Sequence, residues 1–179
     1  MSRSLLISDS QACLELDPES VRALADFVLD AERAPDALEV SLALVDDAAI
    51  AELNVRHLGH EGPTDVLAFP LGDAPPWLAV SEYADPDAPV LLGDVVVSTE
   101  RAIAYCRDHG GDPIEETALY LVHGLLHLLG YDDLTEPDYV RLQERQAELL
   151  REAAESGVVL RGRLVHTDQG GQLPEPRKE

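Results

Sequence analysis

Lysine is almost absent from this chain. A single one, Lys178, joins twelve arginines against 35 acidic residues, and the formal net charge over 179 residues is −22. That balance excludes long-range attraction to a polyanion, so any contact with nucleic acid must rest on a small local patch or on a larger assembly that supplies the positioning. Most of the acids read as a solvated, solubility-promoting surface. Cysteine is scarce as well. Cys13 and Cys106 are far apart and form no metal-type pair, which points to free thiols in a reducing compartment. No apolar run reaches the length of a membrane span, and Met1-Ser2-Arg3-Ser4 lacks the apolar core of a signal peptide. A cytoplasmic protein without a membrane partner is therefore expected. Hydrophobic residues still make up 45% of the chain, enough for one soluble domain with a real core.

Proline, glycine and capping residues divide the chain. Ser4 to Ile7 is a short apolar run suited to an edge strand. Asp17 predicts an N-cap with Pro18 at the first helical position; Val21, Leu24, Ala25, Val28 and Leu29 form the core stripe of that helix, and Pro35 closes the segment. Leu38 to Val45 alternates like a strand. Asp46-Asp47 caps a helix from Ala48 to about His57 that buries Ile50 and Leu53. Gly59 to Pro63 is a loop, and Asp65 to Phe69 is the next strand. Pro70 to Pro89, around Trp77 and Tyr83, lacks periodicity and reads as a long surface excursion with the makings of a flap.

Val90 to Val97 is strongly apolar, as a central strand buried on both faces would be. Ser98 caps a helix running to about Asp108, stopped by Gly110-Gly111, with Tyr105 and Cys106 in the core and His109 at the surface. Asp112-Pro113-Ile114-Glu115 launches a helix ending at Gly130. Thr135-Glu136-Pro137-Asp138 opens the last long helix, with Leu142, Leu149 and Tyr139 inward and Gly157 at its end; Val158 to Val165 suits a β segment. The expected fold is α+β: one domain over residues 1–165, with a mixed sheet of about four strands packed with five or so helices. From His166, itself a surface residue, to Glu179 a disordered polar tail is expected.

The chemistry concentrates between Leu121 and Asp133. His123 and His127, four apart on a helix, lie one turn above the other, so their imidazoles can converge on one metal ion. Glycine at 130 allows the left-handed geometry that ends a helix, and the reversal there swings Asp132 or Asp133 back toward the histidines. Gly124 inside the helix costs about 1 kcal/mol relative to alanine. Close approach of another backbone, of a substrate, or ordinary tight packing would each account for it.

This stretch resembles the hallmark H-G-x-L-H-L-x-G-Y-D-H of the YbeY proteins, metal-dependent single-strand endoribonucleases of ribosomal RNA maturation. The match runs through Asp132 and then departs, with Asp133 where the third histidine stands. It extends from about Leu38 to about Leu150 and takes in Leu53-Asn54, Gly62 to Pro70 (similar to P-T-[ND]-V-L-S-F-P) and Leu92-Gly93-Asp94. The resemblance implies a single-strand-specific endoribonuclease acting in ribosomal RNA maturation and ribosome quality control. Its expected partners are single-stranded RNA, ribosomal RNA and the small ribosomal subunit with its associated proteins, but not DNA. It also implies a metal held by His123, His127 and Asp133, zinc first, with iron, manganese or nickel as alternatives.

Two departures bear on the chemistry. A carboxylate in place of a neutral imidazole lowers the net charge of a zinc site, which makes its bound water less acidic, and gives a two-histidine, one-carboxylate donor set that also admits iron or manganese. The shorter aspartate arm requires the turn after Gly130 to sit closer, or Asp133 does not ligate. The family also places an arginine where this chain has Leu58. Arg56 substitutes for it only if the backbone is extended there, with His57 and His60 as other donors. The base is either a metal-bound hydroxide itself or a carboxylate such as Asp65, Asp94 or Asp132, and the catalytic set is His123, Arg56 and Asp65. A peptidase of the H-E-x-x-H type is disfavoured because Gly124 holds the position of its glutamate. The competing reading is a catalytically weak or inactive ribosome-assembly protein with a structural metal.

Overall fold

A computed structural model of the chain describes residues 3–71 and 90–165. The elements are β1 (Ser4–Asp9), β2 (Leu14–Leu16), α1 (Pro18–Ala31), β3 (Leu38–Val45), α2 (Asp47–Leu58), β4 (Val66–Pro70), β5 (Val90–Ser98), α3 (Thr99–His109), α4 (Pro113–Leu128), α5 (Glu136–Glu155) and β6 (Gly162–Leu164). This is the α+β class expected. The main sheet has the order β1-β3-β5-β4, parallel except for β4, which runs antiparallel at the far edge. Both the proline-rich excursion after Leu71 and the tail from His166 lie outside the described residues.

Local chemistry sets the helix starts. The side chains of Asp17, Asp46, Ser98, Asp112 and Thr135 each accept a hydrogen bond from a backbone N–H of the first turn, and each such cap is worth about 1 kcal/mol. Packing then chooses the faces. Helix α4 lies beneath β4 and β5 with α1, α3 and α5 around it, and Leu121, Val122, Leu125 and Leu126 are buried there. Full burial of one such leucine contributes roughly 1.5–3 kcal/mol. On the opposite face of the sheet, α2 seals a smaller cluster of Val45, Ile50, Leu67 and Val96, with Leu53 and Phe69 half-buried beside it.

Gly124 sits where α4 meets the sheet. A Cβ there would come within 2.4 Å of Val95 Cγ1 and 3.0 Å of Val66 Cγ2. Tight helix-on-sheet packing, rather than approach to a substrate, accounts for this glycine.

Several expectations need correction. Tyr105 is exposed and stacks on His109, with ring centroids 4.3 Å apart, while Cys106 beside it is buried. Tyr139 is also exposed; the inner face of α5 is made by Leu142, Gln146, Leu149 and Ala153. Strand β2 went unread because it is three residues long and pairs with β6, whose residues lie at the other end of the described chain (Leu14 opposite Leu164).

Candidate metal centre

The end of α4 builds the site. Gly130 adopts φ 92°, and its N–H donates to the His127 carbonyl while the Tyr131 N–H donates back to the Leu126 carbonyl. This pairing satisfies the last carbonyls of the helix and reverses the chain. Asp132 then shapes the turn, its Oδ1 accepting from the N–H groups of Asp133 and Leu134 at 2.7 and 3.2 Å. Asp133, not Asp132, faces the histidines. Its Oδ2 is 4.0 Å from His127 Nε2, and His127 Nε2 is 3.0 Å from His123 Nε2. One donor atom from each of the three residues falls within 4.8 Å of the others.

Neighbours hold this arrangement. Gln146 is buried on α5 and its Oε1 accepts from His123 Nδ1 at 2.9 Å. With the proton on Nδ1, the Nε2 lone pair of His123 faces the cleft. Burial, more than any neighbouring charge, holds the His123 imidazole below its usual pKa, so the ring is neutral and able to ligate near pH 7. The turn is tied down as well. Tyr131 donates its hydroxyl to Glu32 at 3.1 Å, and Glu32 in turn takes Arg145 Nε at 2.6 Å.

Two imidazole nitrogens and a carboxylate oxygen suit zinc, iron or manganese, with coordination positions left open. Tetrahedral zinc with bonds of about 2.0–2.1 Å separates two ligating nitrogens by about 3.3 Å. The observed 3.0 Å between the two Nε2 atoms is close to that. The residues therefore fit a metal ion. The cleft around them has a volume of about 640 Å³, and its opposite wall is Leu58, Thr64, Asp65 and Val66 to Ala68. Asp65 is the carboxylate at its rim. Loss of hydration there, only partly countered by Arg101, raises its pKa above the usual range.

The remaining sequence candidates are not brought in. Arg56 lies inside α2, so the extended backbone it required is absent; it points away from Leu58 and pairs with Glu52 one turn back. His57 packs against Phe69, with centroids 5.0 Å apart, and His60 is exposed in the loop; neither lines the cleft. Asp94 pairs with Phe69 and shares the α2 face with Val96, so the sheet separates it from the histidines. Leu58 does line the cleft, and among the described residues its wall carries no lysine or arginine. Sequence reasoning missed Gln146. A polar residue between Leu142 and Leu149 on an apolar helical stripe was the available signal.

A helix-borne histidine pair, a returning carboxylate and an open cleft under a mixed sheet form a candidate metal site with room for a ligand on an ion held there. The family follows from comparison. A sequence model described as Endoribonuclease YbeY matches residues 7–154, and the chain belongs to that family. Endoribonuclease YbeY of Frankia casuarinae is 40% identical over 150 residues, covering 82% of this chain and 73% of the relative. The Moorella thermoacetica protein of the same name is 40% identical over 148 residues, covering 80% and 93%. The solution structure of TM1509 from Thermotoga maritima matches with a TM-score of 0.53 and 21% identity over 94% of this chain and 99% of that one, a likeness of fold.

Proposed function

We propose that this chain, with residues 1–165 as its working unit, is a cytoplasmic, metal-dependent endoribonuclease that cuts single-stranded RNA. Its place is ribosomal RNA maturation and ribosome quality control, acting on ribosomal RNA at the small subunit. The observation that carries this is the convergence of His123 Nε2, His127 Nε2 and Asp133 Oδ2 within 4.8 Å at an open cleft, in a chain of the YbeY family. His123, His127 and Asp133 hold the ion, zinc by preference. When bound, such an ion supplies Lewis acidity toward a phosphoryl oxygen and toward water.

The protein's own groups do the rest. Gln146 fixes the His123 ring so that only Nε2 offers a lone pair to the cleft. Asp65 presents a carboxylate made more basic by lost hydration, suited to taking a proton from an attacking water. Leu58, Val66 and Pro70 form an apolar wall that thins the water around the strand to be cut.

The test is cleavage of single-stranded against duplex RNA by protein of verified metal content, beside His123→Ala. Single-strand cutting by the native chain and none by the variant is expected. Equal cutting by both overturns the proposal. The second reading, a ribosome-assembly protein with a structural metal, draws on Leu58 and a cleft wall that has no lysine or arginine among the described residues. Normal ribosomal RNA maturation in cells carrying only the His123→Ala protein would select it.

A further inference from the structure

Among the described residues the cleft wall carries no cation for RNA phosphate, but the turn that closes the cleft faces a second surface. Tyr131 lines the cleft on one side and, on the other, an open groove of about 630 Å³ along α5, bordered by Arg141, Glu144, Arg145, Glu148 and Arg151. Two of its three arginines are neutralised: Arg145 by Glu32 and Glu148, Arg151 by Glu155 and Glu152. Arg141 forms no ion pair among the described residues, although Glu144 lines the same groove. Its guanidinium lies over the Tyr131 ring, 5.1 Å from the centroid, and the residue is exposed. The cation is thus held in place on an aromatic face with its donors open to solvent.

We infer that Arg141, stacked on Tyr131, is a phosphate subsite that takes the RNA backbone next to the linkage lying over the metal centre, and this rests on the endoribonuclease reading above. Chain connectivity supports the spacing, since Tyr131 and Asp133 are two residues apart and extended chain spans at most about 3.6 Å per residue. Charge supports it too. At a net charge of −22 the protein repels RNA at long range, so an unneutralised arginine in the groove across Tyr131 from the cleft supplies a local attraction. Guanidinium geometry suits two phosphate oxygens at once.

The experiment uses the metal-loaded full chain and a short single-stranded RNA, with KM, kcat and their dependence on salt measured for the native protein, Arg141→Ala, Arg141→Lys and Arg151→Ala. Arg141→Ala is expected to raise KM roughly tenfold with kcat retained. It should also flatten the plot of log affinity against log salt by about 0.7, the loss of one single-strand phosphate contact. Arg141→Lys restores most of the salt slope, and Arg151→Ala changes neither quantity. A native protein that cuts RNA beside an Arg141→Ala variant with unchanged KM and salt slope overturns the subsite alone. An equal effect from Arg151→Ala overturns it too, by showing that any positive charge in the groove serves. A native protein that neither binds nor cuts the RNA overturns the endoribonuclease reading and the subsite with it.

Discussion

Replacing Gly124 by alanine sets two opposed effects against each other at the point where α4 touches the sheet. Alanine is worth about 1 kcal/mol over glycine in a helix interior, which favours the variant. Against that, the new methyl meets Val95 Cγ1 at 2.4 Å and Val66 Cγ2 at 3.0 Å. Val95 is a branched side chain fully buried in the central strand, so it cannot swing aside as the end of a flexible chain would. Overpacking of this kind costs about 1–3 kcal/mol, and a gap more than 1 Å short of ordinary contact belongs near the upper end. The net expectation is a loss of about 2 kcal/mol, or roughly 4–8 °C in Tm for a chain of this size.

Val95→Ala removes the methyls behind the 2.4 Å contact, so in the double variant most of the clash disappears, only the 3.0 Å approach to Val66 Cγ2 remains, and the propensity gain stays. A double-mutant cycle by thermal or urea unfolding should therefore show a favourable coupling of about 2 kcal/mol. A Gly124→Ala protein as stable as the native one, or single effects that add to within about 0.5 kcal/mol, would refute packing against Val95 as the reason for the glycine.

Gln146→Leu keeps the volume but removes the acceptor that orients His123; chelator competition should find zinc bound about 10–100-fold more weakly, and unchanged affinity would count against that role. Asp65→Asn should stabilise the fold at pH 7, because the folded carboxylate has a raised pKa and its charge is penalised there. That advantage shrinks as pH falls through the folded pKa and vanishes below the unfolded value of about 3.9, so a Tm difference that grows on acidification would contradict it. Glu32→Ala strands both the Tyr131 hydroxyl and Arg145 Nε; a loss of about 1–3 kcal/mol in urea unfolding is expected, and none would mean the network is incidental.

Much of this arrangement was legible from residues alone because its determinants are local. Asp17-Pro18, Asp46, Ser98, Asp112 and Thr135 each cap a helix within three residues, and the four-residue spacing of His123 and His127 is helical arithmetic. Gly130 followed by an aspartate was readable for the same reason. What escaped depends on partners distant in sequence. Gln146 meets His123 across 23 residues, Arg145 meets Glu32 across 113, and β2 finds β6 across the described length of the chain. Arg56 failed for a simpler reason: α2 runs one residue further than expected, to Leu58, and a helix separates positions i and i+2 that a strand would align.

The dependence of the metal centre on α5 has a consequence in time. A nascent chain that has emerged only as far as Thr135 already carries both imidazoles and the returning aspartate, yet it lacks Gln146 to select the tautomer and Arg145 to anchor the turn through Glu32. The arrangement that would hold an ion is therefore complete only once the last long helix is made and docked, and a half-synthesised chain has no finished place for one to lodge.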